Sequence, residues 1–321
     1  MVKAVLALRS RVGRIPPGTG EGGTKAAVVQ MRIRSYRNGD AFASHVAHLC
    51  QMAVDRGAGL IVFPEDTATG LLGMLPGFDR AGPPAGASVA DVFAFAGPYV
   101  ARVYLTVFSR LAARHRATIV AGTALLPKEG KVYNLAHVFG PDGSLIGVQP
   151  KIHLFPYEAQ WRIAAGDDLA VWPTGHGHLT VPVCMDATYF ETFRVAAKLG
   201  AEVAAVPTAD PDTYNVWKKR RGAWARAQDG GLPVLNACLF GEFQGIMVSG
   251  RSACYAPLRL SPAGDGILAQ VADPDAEGVA VAELPRPGGA ATAPAGLLRE
   301  LRHMYQAECP TGGRDPALPV V

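Results

Sequence analysis

Three chemically reactive side chains each follow an apolar stretch of this sequence. Glu65 follows GLIVFP, Lys151 follows LIGVQP, and Cys184 follows LTVPV. Short apolar runs rich in β-branched residues predict buried strands, and ligands of open α/β sheets bind beyond the carboxyl ends of the strands. We therefore expect the carboxylate, the amine and the thiol to meet in one site. A thiol nucleophile with its own base and a fixed cation can carry out acyl transfer.

Each of these side chains also has an ordinary interpretation. Cys184 stands where its strand stops, where free backbone N–H groups could receive an oxyanion, but most buried cysteines only fill a core. Near an apolar strand end the pKa of Glu65 would rise, which suits a general base. Lys151 could stabilise an oxyanion as a point charge. In most proteins, however, glutamate and lysine side chains are exposed to solvent and have no such role. Glu158, soon after Lys151, could hold the lysine in place.

Strands and helices alternate along most of the chain, which indicates a mixed sheet within α/β layers. The Pro141-Asp142-Gly143 sequence predicts a hairpin turn, and a helix capped by Asp40 is predicted to end at Gly57. Apolar runs predict strands at 26–33, 59–66, 117–123, 133–140, 144–151, 179–186, 201–208, 232–241, 250–257 and 278–284, with further helices at 87–116, 194–200, 217–229 and 297–306.

One domain is predicted over residues 25–285, because the candidate site draws on residues across this whole span. Residues 1–24 end in IPPGTGEGG, which predicts a flexible leader. Residues 286–321 begin with the low-complexity stretch RPGGAATAPAG and form a predicted C-terminal extension. One option places this extension across a dimer interface.

The composition argues against several classes of partner. A net charge of +4 over 321 residues gives no strong field for nucleic acid or an anionic membrane. We find no apolar run near the roughly 18 residues that a membrane span needs. Five scattered cysteines without CxxC spacing predict free thiols in a reducing compartment, with Cys50 and Cys309 partly exposed. We therefore expect a cytoplasmic protein that binds neither nucleic acid nor membrane.

Taken together, the three motifs resemble those of the nitrilase superfamily of carbon–nitrogen hydrolases, in its amidase-like branch. The family motifs read roughly PE, KxHL and CxDxxFPE, and this chain has FPED, QPKIHLFPYE and CMDATYFE. The similarity runs from about residue 25 to 284 and includes Tyr133-Asn134 and VPTAD at 206–210. The resemblance implies an α/β fold, a four-layer α-β-β-α sandwich with mixed sheets. It also implies a homodimer or higher homo-oligomer, and neither a metal nor an organic cofactor.

The resemblance also assigns roles to individual residues. Cys184 is then the nucleophile, Glu65 the general base, and Lys151 the oxyanion stabiliser, helped by the backbone N–H of Met185. Glu158 matches a second glutamate that many members place beside the lysine. The implied reaction is hydrolysis of a non-peptide amide bond in a small molecule. It passes through a cysteine thioester and releases ammonia or an amine.

A substrate pocket is expected beside this site, under a loop from Leu71 to Ser88. Its predicted lining is Tyr157, Trp161, Thr188, Tyr189, Thr208 and Asp210. Family members that act on N-carbamoyl amino acids or ω-amides often carry Arg where this chain has Thr188, and the usual Phe-Pro is Tyr189-Phe190 here. Without that guanidinium, a substrate carboxylate is disfavoured. A moderately apolar substrate, neutral or cationic, is favoured instead.

Three alternatives stay open at this stage. A nitrilase or an N-acyltransferase could use the same Glu-Lys-Cys site, although Cys-Met-Asp resembles the amidase motif more than the Cys-Trp-Glu of true nitrilases. The third alternative is a non-catalytic interaction module built on this scaffold. Such modules tend to lose one of the three reactive residues, and this chain keeps all of them. Fast, selective alkylation of Cys184 would favour an enzyme.

Overall fold

Two β-sheets, each covered by helices on its outer face, make up the described part of the chain. The computed structural model describes residues 24–285 apart from 77, 79–86, 212 and 244, without the side chains of 218 and 219. The predicted leader apart from residue 24, the whole predicted extension and half of the predicted covering loop lie outside the described residues.

The first sheet has the strand order β5-β4-β3-β2-β1, with β14 antiparallel to β1 and a short β6 beside β4. The second sheet continues as β10-β9-β8-β7, with β11 and β12 on β10 and β13 on β12. The two sheets join where Met31 and Arg32 pair with Leu239 and Phe240. The strands are β1 (Lys25–Arg32), β2 (Leu60–Val62), β3 (Thr118–Lys128), β4 (Lys131–Phe139), β5 (Leu145–Pro150), β6 (Ile163–Ala164), β7 (Val171–Thr174), β8 (Gly177–Thr180), β9 (Val203–Thr208), β10 (Val234–Phe243), β11 (Ile246–Val248), β12 (Ala253–Tyr255), β13 (Ile267–Gln270) and β14 (Gly278–Glu283).

Six helices cover the sheets within the described residues. They are α1 (Gly39–Val54), α2 (Val89–His115), α3 (Pro156–Gln160), α4 (Phe190–Lys198), α5 (Val216–Arg221) and α6 (Ala223–Gly230). The side chain of Asn38 caps α1 by accepting from the Ala41 N–H, so the predicted cap, Asp40, lies instead in the first turn. Ser88 and Asp91 form a capping box at the start of α2.

The apolar side chains form three separate clusters, which define four layers. Along β1, Val29 and Met31 point towards α1 and α2, whereas Ala26 and Val28 point towards the second sheet. This alternation follows from the period of two in a β-strand. The middle cluster lies between the sheets, and the third lies between the second sheet and helices α4 and α6. The predicted four-layer α-β-β-α sandwich with mixed sheets is therefore confirmed.

Two expectations about single elements need revision. Cys50, expected to be partly exposed, is fully buried on the inner face of α1. Helix α2 is long and apolar enough, by length and composition, to cross a membrane. A core helix meets the same criterion, and α2 packs Phe93, Tyr104 and Phe108 into the cluster between helices and first sheet. Its length is therefore weak evidence for a span.

Candidate active site

Glu65, Lys151 and Cys184 are delivered to one place by the ends of three strands. Glu65 follows β2 after Phe63 and Pro64, and Lys151 follows β5, where its N–H extends the ladder to the Asn134 carbonyl at 2.8 Å. Beyond β8 the chain stays extended up to Val183 and then enters a short 3₁₀ turn, Cys184–Thr188. Cys184 has a φ of +44°, a sharp turn that an ordinary side chain rarely adopts.

A buried ion cluster lies at the centre of this site. The Lys151 Nζ donates to Glu65 Oε1 at 2.8 Å and to Glu158 Oε2 at 2.5 Å. The side chains of Lys151 and Glu65 are 2% exposed and that of Glu158 is 6% exposed. Because ionised groups are costly to bury alone, each carboxylate stabilises the ammonium between them. Glu158 Oε2 also accepts from the Phe155 N–H at 2.7 Å, which fixes the start of α3.

Asn134 and Asp186, which the sequence did not single out as site residues, hold the site together. Asn134 Nδ2 donates to Oε1 of Glu65 at 2.9 Å and to Oε1 of Glu158 at 3.2 Å. The fully buried Asp186 carboxylate accepts from the backbone N–H groups of His153 at 2.7 Å and of Val183 at 2.9 Å. It thereby ties the lysine segment to the turn that carries Cys184. Asn134 lies within the Tyr133-Asn134 pair noted in the sequence, and Asp186 lies within the CMD part of the cysteine motif.

The thiol of Cys184 contacts the general-base candidate directly. It donates a hydrogen bond to the Glu65 carboxylate and lies at the backbone N–H of Ala209, which also donates to Glu65 Oε2 at 2.9 Å. Burial, together with the Glu65 charge, raises the pKa of the Cys184 thiol well above its usual range, while Lys151 acts in the opposite direction. The resting nucleophile is therefore a thiol whose proton is already aimed at a base.

The charges within the cluster shift the other two groups as well. Burial raises the pKa of Glu65, although the Lys151 ammonium opposes this. Desolvation by itself would lower the pKa of Lys151, but the carboxylates of Glu65 and Glu158 outweigh it and raise that pKa well above its usual range. Lys151 is therefore a permanent cation, and Glu65 is a carboxylate with raised proton affinity.

Donors for a developing negative charge are present around the thiol. An ammonium group has three N–H donors, and two of those on Lys151 are used by Glu65 and Glu158. The third is left for a ligand. Met185 is the second residue of the 3₁₀ turn, so its N–H has no carbonyl acceptor within that turn. The arrangement can therefore hold an oxyanion beside Cys184.

Two cavities adjoin this centre. The first, about 110 Å³, is lined by Cys184, and Thr188, Thr208 and Asp210 line it as predicted. The second, about 140 Å³, is almost wholly apolar and is lined by Tyr157 and Trp161. Among its further walls are Asp66, Thr69, Val92, Phe93, Leu125 and Phe243.

The predicted pocket lining is thus divided. Tyr157 and Trp161 lie at the second cavity and not at the one lined by the thiol. Tyr189 lines neither cavity: it is 40% exposed and stacks on His153 with ring centroids 4.2 Å apart. Asp66 lines the second cavity and was missed by the sequence reasoning, although it directly follows Glu65.

The four-layer sandwich thus brings a carboxylate, a lysine and a cysteine together at one buried place. The family model described as carbon–nitrogen hydrolase matches residues 25–293, and the chain belongs to that family. It is 27% identical over 266 residues to the probable hydrolase YhcX of Bacillus subtilis (strain 168), covering 81% of this chain and 49% of the relative. It is 32% identical over 113 residues to omega-amidase NIT2 of Danio rerio, covering 32% of this chain and 40% of that protein. The chain spans about half or less of the length of these relatives.

Solved structures resemble the chain over nearly its whole length. An amidase from Nesterenkonia sp. AN1, a double mutant in complex with acrylamide, superposes with a TM-score of 0.67 at 20% identity, covering 90% of this chain and 100% of that one. A single mutant of the same amidase in complex with butyramide also superposes with a TM-score of 0.67 at 20% identity, covering 92% of this chain and 99% of that one. At this identity the likeness establishes a shared fold.

Proposed function

We propose that this protein hydrolyses the amide bond of a small, linear, non-peptide substrate through a thioester on Cys184. The observation that carries the proposal is the hydrogen bond from the Cys184 thiol to Glu65, whose carboxylate is also bound to Lys151 at 2.8 Å. A nucleophile, a base and a fixed cation in mutual contact are the parts that acyl transfer requires.

The proposed steps follow from these contacts. Glu65 takes the thiol proton as the sulfur attacks the amide carbon. The oxyanion then forms beside the free N–H of Lys151 and the N–H of Met185. Collapse expels ammonia or an amine, which receives its proton from Glu65, and a thioester remains. Water attacks the thioester with Glu65 again as base, and the carboxylic acid leaves.

Small aliphatic amides are the appropriate first substrates. The amidase of similar fold is known in complex with acrylamide and with butyramide. We expect ammonia release from butyramide by the wild-type chain and none above background from Cys184→Ala. When turnover is quenched in acid, the mass of the intact protein should increase by one butyryl group. Digestion should then locate that group on the peptide that contains Cys184.

Added hydroxylamine separates hydrolysis from transfer. A hydrolase releases acid and ammonia without it, whereas an acyltransferase forms hydroxamate and stays nearly silent in water alone. A nitrilase would release ammonia from butyronitrile and not from butyramide. Butyramide turnover that survives in Cys184→Ala would contradict the proposed nucleophile, and a slowly alkylated Cys184 without any turnover would indicate a non-catalytic module.

We also infer that the protein assembles as a homodimer in the cytoplasm. Support for the assembly comes from the end of α4, where Val195 and Leu199 are four residues apart and are 45% and 52% exposed. Neighbouring exposed apolar side chains of this size favour a protein contact. Light scattering should give twice the chain mass for the wild type and the monomer mass for Val195→Glu. A monomeric wild type would refute the inference.

A further inference from the structure

The apolar cavity beside the active site is lined by two polar side chains, those of Asp66 and Thr69. They are in contact, because Thr69 Oγ1 donates to Asp66 Oδ1 at 3.3 Å. The remaining walls are aliphatic or aromatic, and the volume of about 140 Å³ would hold a molecule of roughly benzene size. A carboxyl group lining an aromatic-walled cavity is unusual, because burying it without a counterion is unfavourable.

Ring contacts join the walls of the two cavities. Phe155 lines the thiol cavity and packs on Tyr157 with centroids 4.7 Å apart. Tyr157 in turn packs on Trp161 at 4.4 Å, inside the second cavity. Burial raises the pKa of Tyr157, and the carboxyl groups of Glu65 and Asp66 add to this effect. Tyr157 therefore lies within electrostatic reach of both the general-base candidate and Asp66.

Carboxyl groups outnumber buried cations near the cavity. Glu65, Glu158 and Asp66 are three carboxyl groups, and Lys151 is the buried cation among them. Burial, with the charges of Glu65 and Glu158, raises the pKa of Asp66 to about 8, so this carboxyl is mostly protonated near pH 7. A cation placed in the cavity would stabilise the carboxylate form of Asp66, and aromatic walls attract cations through their ring faces.

We propose that Asp66 and the aromatic walls of this cavity bind a protonated amine at the far end of the substrate's acyl chain. The inference rests on the proposed function, which it makes more specific: the substrate is an ω-amino amide with a short apolar spacer. The scissile amide lies at Cys184, the spacer passes Tyr157, and the ammonium pairs with Asp66 among Trp161 and its neighbours. Asp66 is then a specificity-determining residue.

Two amides of equal size test this assignment. In 5-aminopentanamide an ammonium stands where hexanamide has a methyl group. A hydrogen bond to a charged group corresponds to about 10- to 100-fold in affinity. We expect wild-type kcat/KM to favour 5-aminopentanamide by that factor, and Asp66→Asn to bring the ratio of the two kcat/KM values close to one. Asn is the fitting substitute, because Asp66 has a φ of +57° that Asn tolerates.

Asp167→Asn is the charge-matched control, because Asp167 is exposed and lines neither cavity. It should leave the preference unchanged. Titration of n-butylammonium into the wild-type chain adds a test that needs no variant. Its affinity should rise about tenfold from pH 7 to pH 9 as Asp66 ionises, whereas 1-butanol should bind equally at both.

The outcomes separate this assignment from the proposed chemistry. Equal turnover of both amides, unchanged by Asp66→Asn, would overturn the cation site and leave amide hydrolysis standing. Absence of turnover of either amide, with Asp66-dependent binding of 5-aminopentanamide to Cys184→Ala, would support the cation site and contradict the proposed hydrolysis. A wild-type affinity for n-butylammonium that is independent of pH would also overturn the cation site.

Discussion

Removal of the Lys151 side chain should destabilise the fold as well as stop catalysis. From the sequence alone, Lys151→Ala would leave the fold nearly intact and abolish turnover, because the expected role of the lysine is to stabilise the oxyanion. In the structure its Nζ lies 2.8 Å from Glu65 Oε1 and 2.5 Å from Glu158 Oε2, and all three side chains are buried. The alanine variant would leave two carboxylates buried without their cation.

The size and pH dependence of the effect follow from this geometry. Removing one partner of a buried ion pair destabilises a protein by about 3–5 kcal/mol. For a domain of this size that lowers the Tm by about 6–20 °C. Burial already raises the pKa of Glu65, and in the variant the Lys151 ammonium no longer opposes that shift. The folded state then keeps protons that the unfolded state releases, and stability is lost as the pH rises from about 4.5. The destabilisation is therefore largest near pH 8 and smallest near pH 5.

Urea unfolding at pH 5 and at pH 8 measures this difference. Lys131→Ala is the matched control, because Lys131 is exposed at the start of β4. We expect the control to lie within about 0.5 kcal/mol of the wild type at both pH values. The double variant Lys151→Ala with Glu158→Gln should recover part of the loss at pH 8. A loss in Lys151→Ala below about 1 kcal/mol, or one equal at the two pH values, would refute the buried ion cluster.

Three further variants test how the site is supported. Burial lowers the pKa of His137 to about 4, so the unfolded state takes up the proton first as pH falls below 6.5. Between pH 7 and pH 5 urea unfolding should show a loss of about 2 kcal/mol that His137→Gln abolishes. Gly122→Ala should lower both Tm and turnover, since the φ of Gly122 is +71° and a Cβ there would lie 1.9 Å from the Pro64 carbonyl oxygen. Gly130 has open space around it, so the control variant Gly130→Ala should lose only about 1 kcal/mol of stability. Asp186→Ala removes the acceptor of the backbone N–H groups of His153 and Val183, so it should destabilise the fold by about 3–5 kcal/mol and abolish turnover. A Tm within 2 °C of the wild type would contradict the role of Asp186 in joining these two segments.

The layers of the fold could be predicted because their signals are local. The apolar runs that form β1, β3 and β9 are long enough to identify strands directly, and Pro141-Asp142-Gly143 encodes the turn between β4 and β5. What joins these elements could not be predicted. The pairing of β1 with β10 and β14 brings together segments more than 200 residues apart. Such pairing depends on the packing of whole layers and leaves no local pattern.

The site was predictable to the same extent. Strand-end positions identified Glu65, Lys151 and Cys184, but the division of the pocket depends on the rotation of one short helix. In α3, Glu158 faces Lys151, whereas Tyr157 and Trp161 are four residues apart and share another face. That rotation directs both rings into the apolar cavity. A sequence pattern over five residues is too short to fix it.

The raised pKa of the Cys184 thiol leads to a last prediction, which separates the base from the cation. Burial and the Glu65 carboxylate raise that pKa, whereas Lys151 lowers it. Glu65→Gln removes the negative neighbour and keeps the lysine, so the thiol pKa should fall and the thiolate fraction at pH 7 should rise. Because the thiolate is the nucleophile, alkylation by iodoacetamide should become faster. Amide hydrolysis should still be lost, since no base remains to protonate the leaving group or activate water. Lys151→Ala should change alkylation in the opposite direction. If Glu65→Gln slowed alkylation and hydrolysis together, Glu65 would be needed to form the thiolate at rest, and the resting thiol-to-carboxylate hydrogen bond would not describe the ground state of the enzyme.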